Sequence, residues 1–290
     1  MKEKNYAVIG CGFLGSKIAR HLNKTTQVTV TATTRTKQGA RRAQGFECKL
    51  LRIGEPDAYY QFIENQDGIC ICLAPAGVDE TTEERYRKTY ETDLNALVEA
   101  FKQRNAIRHT HITYISSTAV YGDQFSSVVD EGAICDLSHD ANKILHQAEQ
   151  KVLSLSNSNT RVAVLRLGGL YDEQRNMLEI FKRLAGKQTT QVGKFCPAWS
   201  HTQDAARAVQ FAYENNLSGI YNCNNDMMLS YQEISSLVSE EYGLAPTIYS
   251  RTADNSYRII NAKASNQKLK REGFEFAHPT FLKPTPAFLA

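Results

Sequence analysis

"AVIGCGFLGSKIA", Ala7 to Ala19, carries three glycines, Gly10, Gly12 and Gly15, in the spacing G-x-G-x-x-G. The run before them, "NYAVIG", reads as a short apolar strand. After them Leu14, Ile18 and Leu22 recur on one helical face. A glycine turn that closes a strand and opens a helix is the form that cradles a dinucleotide diphosphate. Gly10 permits the tight turn, Gly12 lets a phosphate approach the backbone, and Gly15 lets the helix pack on the strand. The helix N-terminus at Phe13 and Leu14 offers free N–H groups and partial positive charge to the phosphates.

Outward from this turn the first half of the chain alternates strand and helix. "QVTVTATT" is β-branched, "CKLLRI" is a third strand, and "DGICICLAP" is a continuous apolar run stopped by Pro75, as in a strand buried on both faces. A long helix follows over about 80–103, with Thr81 and Glu84 spaced for a capping box. "HITYISS" is the fifth strand, a helix spans about 140–153, and "RVAVLRLGG" is the sixth strand. Further helices fall near 174–185, 203–214 and 231–242, the last opened by Ser230 and Glu233 as a second capping box, and "GIYNCN" adds a strand. This order predicts an α/β fold: a Rossmann-type doubly wound parallel sheet of about seven strands with a small C-terminal substrate cap. The dinucleotide-binding part is expected over 1–170 and 201–223, and the cap over 171–200 and 224–290.

The choice of dinucleotide is read at the end of the second strand. An NAD site usually places Asp or Glu there for the ribose hydroxyls. "VTVTATTRTKQGARR" has no acid; it has Thr34 and Arg35, then Lys37, Arg41 and Arg42. A guanidinium pairs with a 2′-phosphate, which a carboxylate would repel. NADP(H) is therefore expected over NAD, with Arg35 as the contact.

Bulk composition narrows the rest. The chain has 290 residues, 42% apolar and 22% charged, enough for a sizeable core. A net charge of +3 is too small to imply nucleic acid. No apolar run is long enough to span a membrane, and the N-terminus does not read as a secretory signal. The seven cysteines are odd in number and show no metal-ligand spacing, which predicts free thiols in the cytoplasm and no metal. His201 and Asp204 in "SHTQD" read as a helix start, with Thr202 as the cap.

Several motifs in one order add a resemblance. "GCGFLG", "CLAPAG", "SSTAVYGD", "RLGGLYD", "SHTQDAARAV", "GIYNCNND" before "SYQEI", and the tail "INAKASNQKLKREGFEFAHPTF" together resemble the extended branch of the short-chain dehydrogenase/reductase superfamily, the nucleotide-sugar epimerases and dehydratases. The resemblance implies that Ser117 binds the reacting hydroxyl or carbonyl of a small-molecule substrate. It also implies cofactor contacts from Leu73, Ala74 and Pro75 after the fourth strand, Ser116 on the fifth, and Leu167, Gly168 and Gly169 after the sixth. Family members pair a tyrosine and a lysine, Y-x-x-x-K, about 25 residues after the serine. "DLSHDANKILHQAEQKVL" has no tyrosine: the two positions are Ala141 or Asn142, and Leu145 or His146. The chain in this respect resembles the atypical branch. Tyr121, just past Ser117, and His146 are the candidate proton-transfer groups. The resemblance further implies a homodimer through the helices near 80–103 and 140–153. Two functions stay open: an NADP(H)-dependent reductase, epimerase or dehydratase-like enzyme, and a catalytically silent NADP(H) sensor.

Overall fold

The computed structural model describes residues 4–51, 56–75, 82–103, 109–252 and 259–282. Strand β1 (Lys4–Ile9) leads through the glycine turn into helix α1 (Phe13–Thr25), and β2 (Val28–Thr34) returns parallel to β1, with Tyr6 beside Val30 and Ile9 beside Thr33. Helix α2 (Lys37–Ala40), strand β3 (Glu47–Leu50) and helix α3 (Pro56–Ile63) come next. The periodicity of the sequence does not predict α3. Its eight residues, "PDAYYQFI", are rich in aromatics that suit a strand as well as a helix.

Strand β4 (Gly68–Ile71) is buried at every position, as its unbroken apolar run predicts. Helix α4 (Thr82–Arg87), a π-helical turn (Lys88–Asp93) and α5 (Leu94–Gln103) run on as one helix. The predicted cap residue Thr81 lies outside the described residues. Strand β5 (Thr110–Ser117) ends in a 3-10 turn, Thr118–Tyr121, which leads to β6 (Asp123–Val129), α6 (Asp140–Leu153) and β7 (Thr160–Leu167). The remaining elements are β8 (Gly169–Tyr171), α7 (Met177–Leu184), β9 (Gln188–Val192), β10 (Trp199–His201), α8 (Thr202–Glu214), β11 (Gly219–Cys223), α9 (Tyr231–Tyr242), β12 (Ile248–Ser250), β13 (Asn261–Ala264) and α10 (Gln267–Arg271).

Seven strands form one parallel sheet in the order β11–β7–β5–β4–β1–β2–β3. The chain moves outward from β1 to β3, then crosses back to β4 on the other side of β1. That reversal opens a crevice beyond the carboxyl ends of β1 and β4, the place where doubly wound sheets bind ligands. One sheet face buries Ile63, Leu97, Tyr114 and Val152; the other buries Ile18, Leu22, Ala205 and Val209. A third core gathers Phe181, Trp199, Met227 and Ile234 from the later segments. Among the described residues no helix is long and apolar enough to cross a membrane, and all seven cysteines are free.

Local signals in the C-terminal part hold with one correction. The Ser230–Glu233 capping box starts α9 as predicted, and Gly243 in the left-handed region (φ 61°) ends it. Helix α8, however, is capped by His201, whose Nδ1 accepts from the Gln203 N–H at 3.3 Å. Thr202 is already inside the helix and donates its hydroxyl to Asp172 at 3.2 Å. Asp204 sits in the first turn, where it accepts the N–H groups of Ala277 and His278 at 3.0 and 2.8 Å and so ties the tail to the helix start.

Candidate cofactor and active site

The three glycines meet three different demands. Gly10 has φ +105°, and a Cβ there would stand 2.3 Å from the Cys72 carbonyl oxygen at the end of β4. A Cβ on Gly15 would stand 1.9 Å from the Gly10 carbonyl oxygen, so only glycine lets α1 pack this close. A Cβ on Gly12 would meet nothing within 4 Å among the described residues. Gly12 thus faces a cradle that the protein leaves open, beside a helix start with no side-chain cap. The open cradle and the N–H groups at Phe13 and Leu14 fit a dinucleotide diphosphate. Leu14 itself is buried in the core, while Lys17 and Arg175 each bring a cation to 5.2 Å from the centre of the Phe13 ring. Leu73, Ala74 and Pro75 leave β4 directly beside this turn: the Leu73 nitrogen is 3.5 Å from the Cβ position of Gly10.

At the end of β2 the structure departs from the simplest sequence picture. Thr34 is buried, and its hydroxyl accepts from the Thr36 N–H at 3.4 Å, so the side chain shapes the turn. Arg35 is exposed but not alone. Its Nη1 donates to Asp93 Oδ2 at 3.3 Å, and Asp93 is buried in the π-helical turn. Burial pushes the Asp93 carboxyl up to about 6, against the pull of Arg35 and Lys88.

The strand that carries the serines splits them between two tasks. Ser116 points into the sheet–helix core and donates to Glu149 Oε1 of α6 at 2.6 Å. Arg166 of β7 closes on the same carboxylate through two bonds, Nε to Oε1 at 3.0 Å and Nη2 to Oε2 at 2.7 Å. Both charged side chains are almost wholly buried. The Ser116 hydroxyl is therefore committed to the interior, which leaves only its backbone for a cofactor. Ser117 is half-buried at the end of β5, next to Leu167 in the β5–β7 register. Its Oγ accepts from the Ala119 N–H at 3.2 Å, and among the described residues the hydroxyl hydrogen has no acceptor.

Tyr121 does not fit a proton-transfer role. It has no exposed surface, its hydroxyl donates to Asn222 Oδ1 at 2.8 Å, and the Arg166 guanidinium stacks 4.8 Å from its ring. Burial pushes its phenol up to about 12, the wrong direction for a base at neutral pH. The α6 stripe that faces β5 is fixed by Glu149; four and eight residues earlier on that stripe stand Leu145 and Ala141, both buried and apolar. His146 is turned about 100° from Leu145. It is half-buried, and its Nδ1 has no hydrogen-bond partner among the described residues. Gly168 and Gly169 do allow a close backbone approach, but to β10: Gly169 N–H donates to the Ala198 carbonyl at 2.8 Å, and a Cβ on Gly168 would stand 2.4 Å from that carbonyl.

The later segments, together with Ser126 of β6, line an open cavity of about 710 Å³, with Lys194, Cys196, Ser230, Leu237 and Lys263 among its residues. Ser126 and Phe125 before it hold left-handed backbone (φ 60° and 53°), fixed by Phe125 N–H to Asp123 at 2.9 Å and Ser126 Oγ to Asn261 Oδ1 at 2.7 Å. The described residues hold no cluster of His, Cys, Asp and Glu suited to a metal ion. Reasoning from sequence misses Asp93, Glu149, Arg166 and the two cavity lysines. Arg166 does leave a signal, a lone charge inside an apolar strand, and Glu149 leaves another on the apolar stripe of α6. Nothing local marks Asp93, Lys194 or Lys263.

Known proteins share this architecture. The UDP-N-acetylglucosamine 4-epimerase of Methanobrevibacter ruminantium M1, solved with UDP-N-acetylmuramic acid, superposes with a TM-score of 0.75 at 18% identity, over 95% of this chain and 93% of that one. The UDP-glucose 4-epimerase of Thermotoga maritima, solved with UDP-glucose, gives 0.74 at 16% identity over 93% of each chain. MoeE5, solved with UDP-glucuronic acid and NAD, gives 0.73 at 20% identity over 93% of each chain. At these identities the likeness is one of fold. A comparison with curated proteins gives no match. The model of the NAD dependent epimerase/dehydratase family matches residues 7–223, from the first strand to the last strand of the main sheet, and the chain belongs to that family.

Proposed function

We propose that the protein binds NADP(H) in preference to NAD(H) and acts as an epimerase, dehydratase or reductase on a hydroxylated, nucleotide-sugar-type small molecule. The observation that carries this reading is Ser117: it ends a central strand beside the crevice, and its O–H has no acceptor among the described residues. A hydroxyl so placed orients a substrate oxygen and stabilises charge that grows on it. When bound, the nicotinamide supplies or accepts the hydride. The cap, 171–200 and 224–290, is the proposed substrate-binding unit. Its cavity is roomy enough for a nucleotide sugar, and Lys194 and Lys263 offer two cations to a diphosphate. The structural neighbours solved with UDP-sugars support the substrate class. Free thiols suit a reducing cytoplasm, and a homodimer through α4–α5 and α6 belongs to the same reading.

Two measurements test it. Ser117→Ala should leave NADPH affinity within about twofold while turnover of a UDP-sugar substrate falls roughly a hundredfold, the scale of one lost oxyanion donor. Loss of NADPH binding in that variant would make Ser117 structural. Arg35→Ala should weaken NADPH binding by about 1–3 kcal/mol and leave NADH nearly unchanged, as for loss of one charge-assisted contact. Equal affinity of the wild type for both dinucleotides, by calorimetry, would defeat the preference.

A second reading has its own support. The α6 stripe that would present a tyrosine and a lysine presents Ala141 and Leu145 instead. An NADP(H)-binding protein without that pair can report the redox state of the pool to a partner. It predicts tight dinucleotide binding with no turnover across a UDP-sugar panel.

A further inference from the structure

The carboxylate nearest Arg35 comes from another part of the chain. Arg35, at the end of β2, stands against the glycine turn, because the N–H of Cys11 donates to the Thr33 carbonyl at 2.6 Å. Its Nη1 meets Asp93 Oδ2 at 3.3 Å. That is the one hydrogen bond Arg35 makes among the described residues, so the Nε–Nη2 edge of the guanidinium stays open. About a third of the Arg35 side chain is exposed, whereas the Asp93 side chain is only 1% exposed.

Asp93 is held in place at some cost. It is the last residue of the π-helical turn Lys88–Asp93, which inserts an extra residue into the long helix. Each inserted residue swings the rest of the helix by about 100° about its axis, and such turns gather at functional positions. The second oxygen, Oδ1, is buried with no hydrogen-bond partner among the described residues. A structural ion pair gains nothing from leaving a buried carboxylate oxygen unserved. The charged and titratable groups facing this carboxylate are Arg35, Lys88 and the Tyr59 phenol of α3.

We infer that Asp93 is a specificity-determining residue for the dinucleotide: its negative charge offsets Arg35 and so limits how far NADP(H) is favoured over NAD(H). The inference rests on the reading of Arg35 as the partner of the 2′-phosphate. An adenosine 2′-phosphate that reaches the open edge of Arg35 gains a bidentate contact. It also comes within several ångströms of a buried carboxylate, where a unit charge is poorly screened. The 2′-hydroxyl of NAD(H) carries no charge and meets neither effect. The residue thus acts on one cofactor and spares the other.

Asp93→Asn tests this, because it keeps an oxygen for Arg35 to donate to and removes only the charge. NADPH and NADH are titrated separately by cofactor fluorescence or calorimetry, with no substrate present. NADPH affinity should rise roughly tenfold, as for removal of one nearby unit charge, while NADH changes by less than about twofold. An unchanged or weaker NADPH affinity overturns the inference, and so does an equal change for both dinucleotides, which would make Asp93 structural. Should Asp93→Asn fail to fold, Asp93→Ser serves the same comparison. The Arg35→Ala variant separates the two claims. If it leaves the NADPH-to-NADH ratio of affinities untouched, the reading of Arg35 fails; if it lowers the ratio while Asp93→Asn does not raise it, only the role of Asp93 fails.

Discussion

Gly12→Ala should fold and melt like the wild type yet bind NADPH about a hundredfold more weakly. The expectation comes from the unequal surroundings of the three glycines. Gly12 has φ −86°, a backbone that any residue adopts, and a Cβ there meets nothing within 4 Å among the described residues. The fold therefore loses nothing. The diphosphate, however, needs that same space to reach the N–H groups at the start of α1. Displacing it by the width of a methyl group forfeits charge-assisted hydrogen bonds worth about 1.5–3 kcal/mol each, and two of them at the lower end of that range amount to the hundredfold loss. The same substitution at Gly15 should behave differently. Its Cβ would stand 1.9 Å from a backbone oxygen, so helix and strand must part, and stability falls along with binding. Thermal unfolding measured by circular dichroism, with a parallel NADPH titration, separates the two. A Gly12→Ala protein that binds normally would remove the glycine turn from the cofactor site.

The second large effect lies in the core. Glu149→Ala should cost about 3–5 kcal/mol of stability, because it strands the Arg166 guanidinium in a buried position. Arg166 is 2% exposed and draws on both oxygens of Glu149, while Ser116 loses its acceptor in the same stroke. The remaining contacts of Arg166, Cys135 Sγ at 3.6 Å and the Tyr121 ring, do not replace a carboxylate. A double variant, Glu149→Leu with Arg166→Met, removes both charges and should recover most of the loss, since an apolar pair of similar volume packs there without a desolvation cost. Urea unfolding of the single and double variants measures the difference. A single variant within about 1 kcal/mol of the wild type would mean that water reaches the stranded guanidinium.

Much of this architecture is legible in residues that act locally. The glycine turn, the apolar run of β4 and the Ser230–Glu233 box each fix their own element, because strand period, turn chemistry and capping depend on neighbours a few positions away. Strand–helix alternation alone points to the seven-stranded parallel sheet. What resists reading is pairing across the chain. Arg35 looks like an unattended cation until the helix after β4 brings Asp93 to it, 58 positions later. Tyr121 sits in a turn that promises exposure, and only Asn222, 101 positions on, reveals that it is sealed. The α8 cap shows a smaller failure of the same kind: two neighbouring residues both suit the cap, and tertiary contacts to Asp172 decide between them.

The aromatic core of the later segments has one more consequence. Trp199 is the sole tryptophan of the chain, and its indole lies edge-on to Tyr231 and Phe281, with ring centres 6.2 and 5.6 Å away. Those partners come from α9 and from the tail, so the environment of the indole exists only when both have docked. The protein accordingly carries its own optical reporter: the colour of its ultraviolet emission tracks assembly of that one core, with no dye attached and no signal from tryptophans in the sheet.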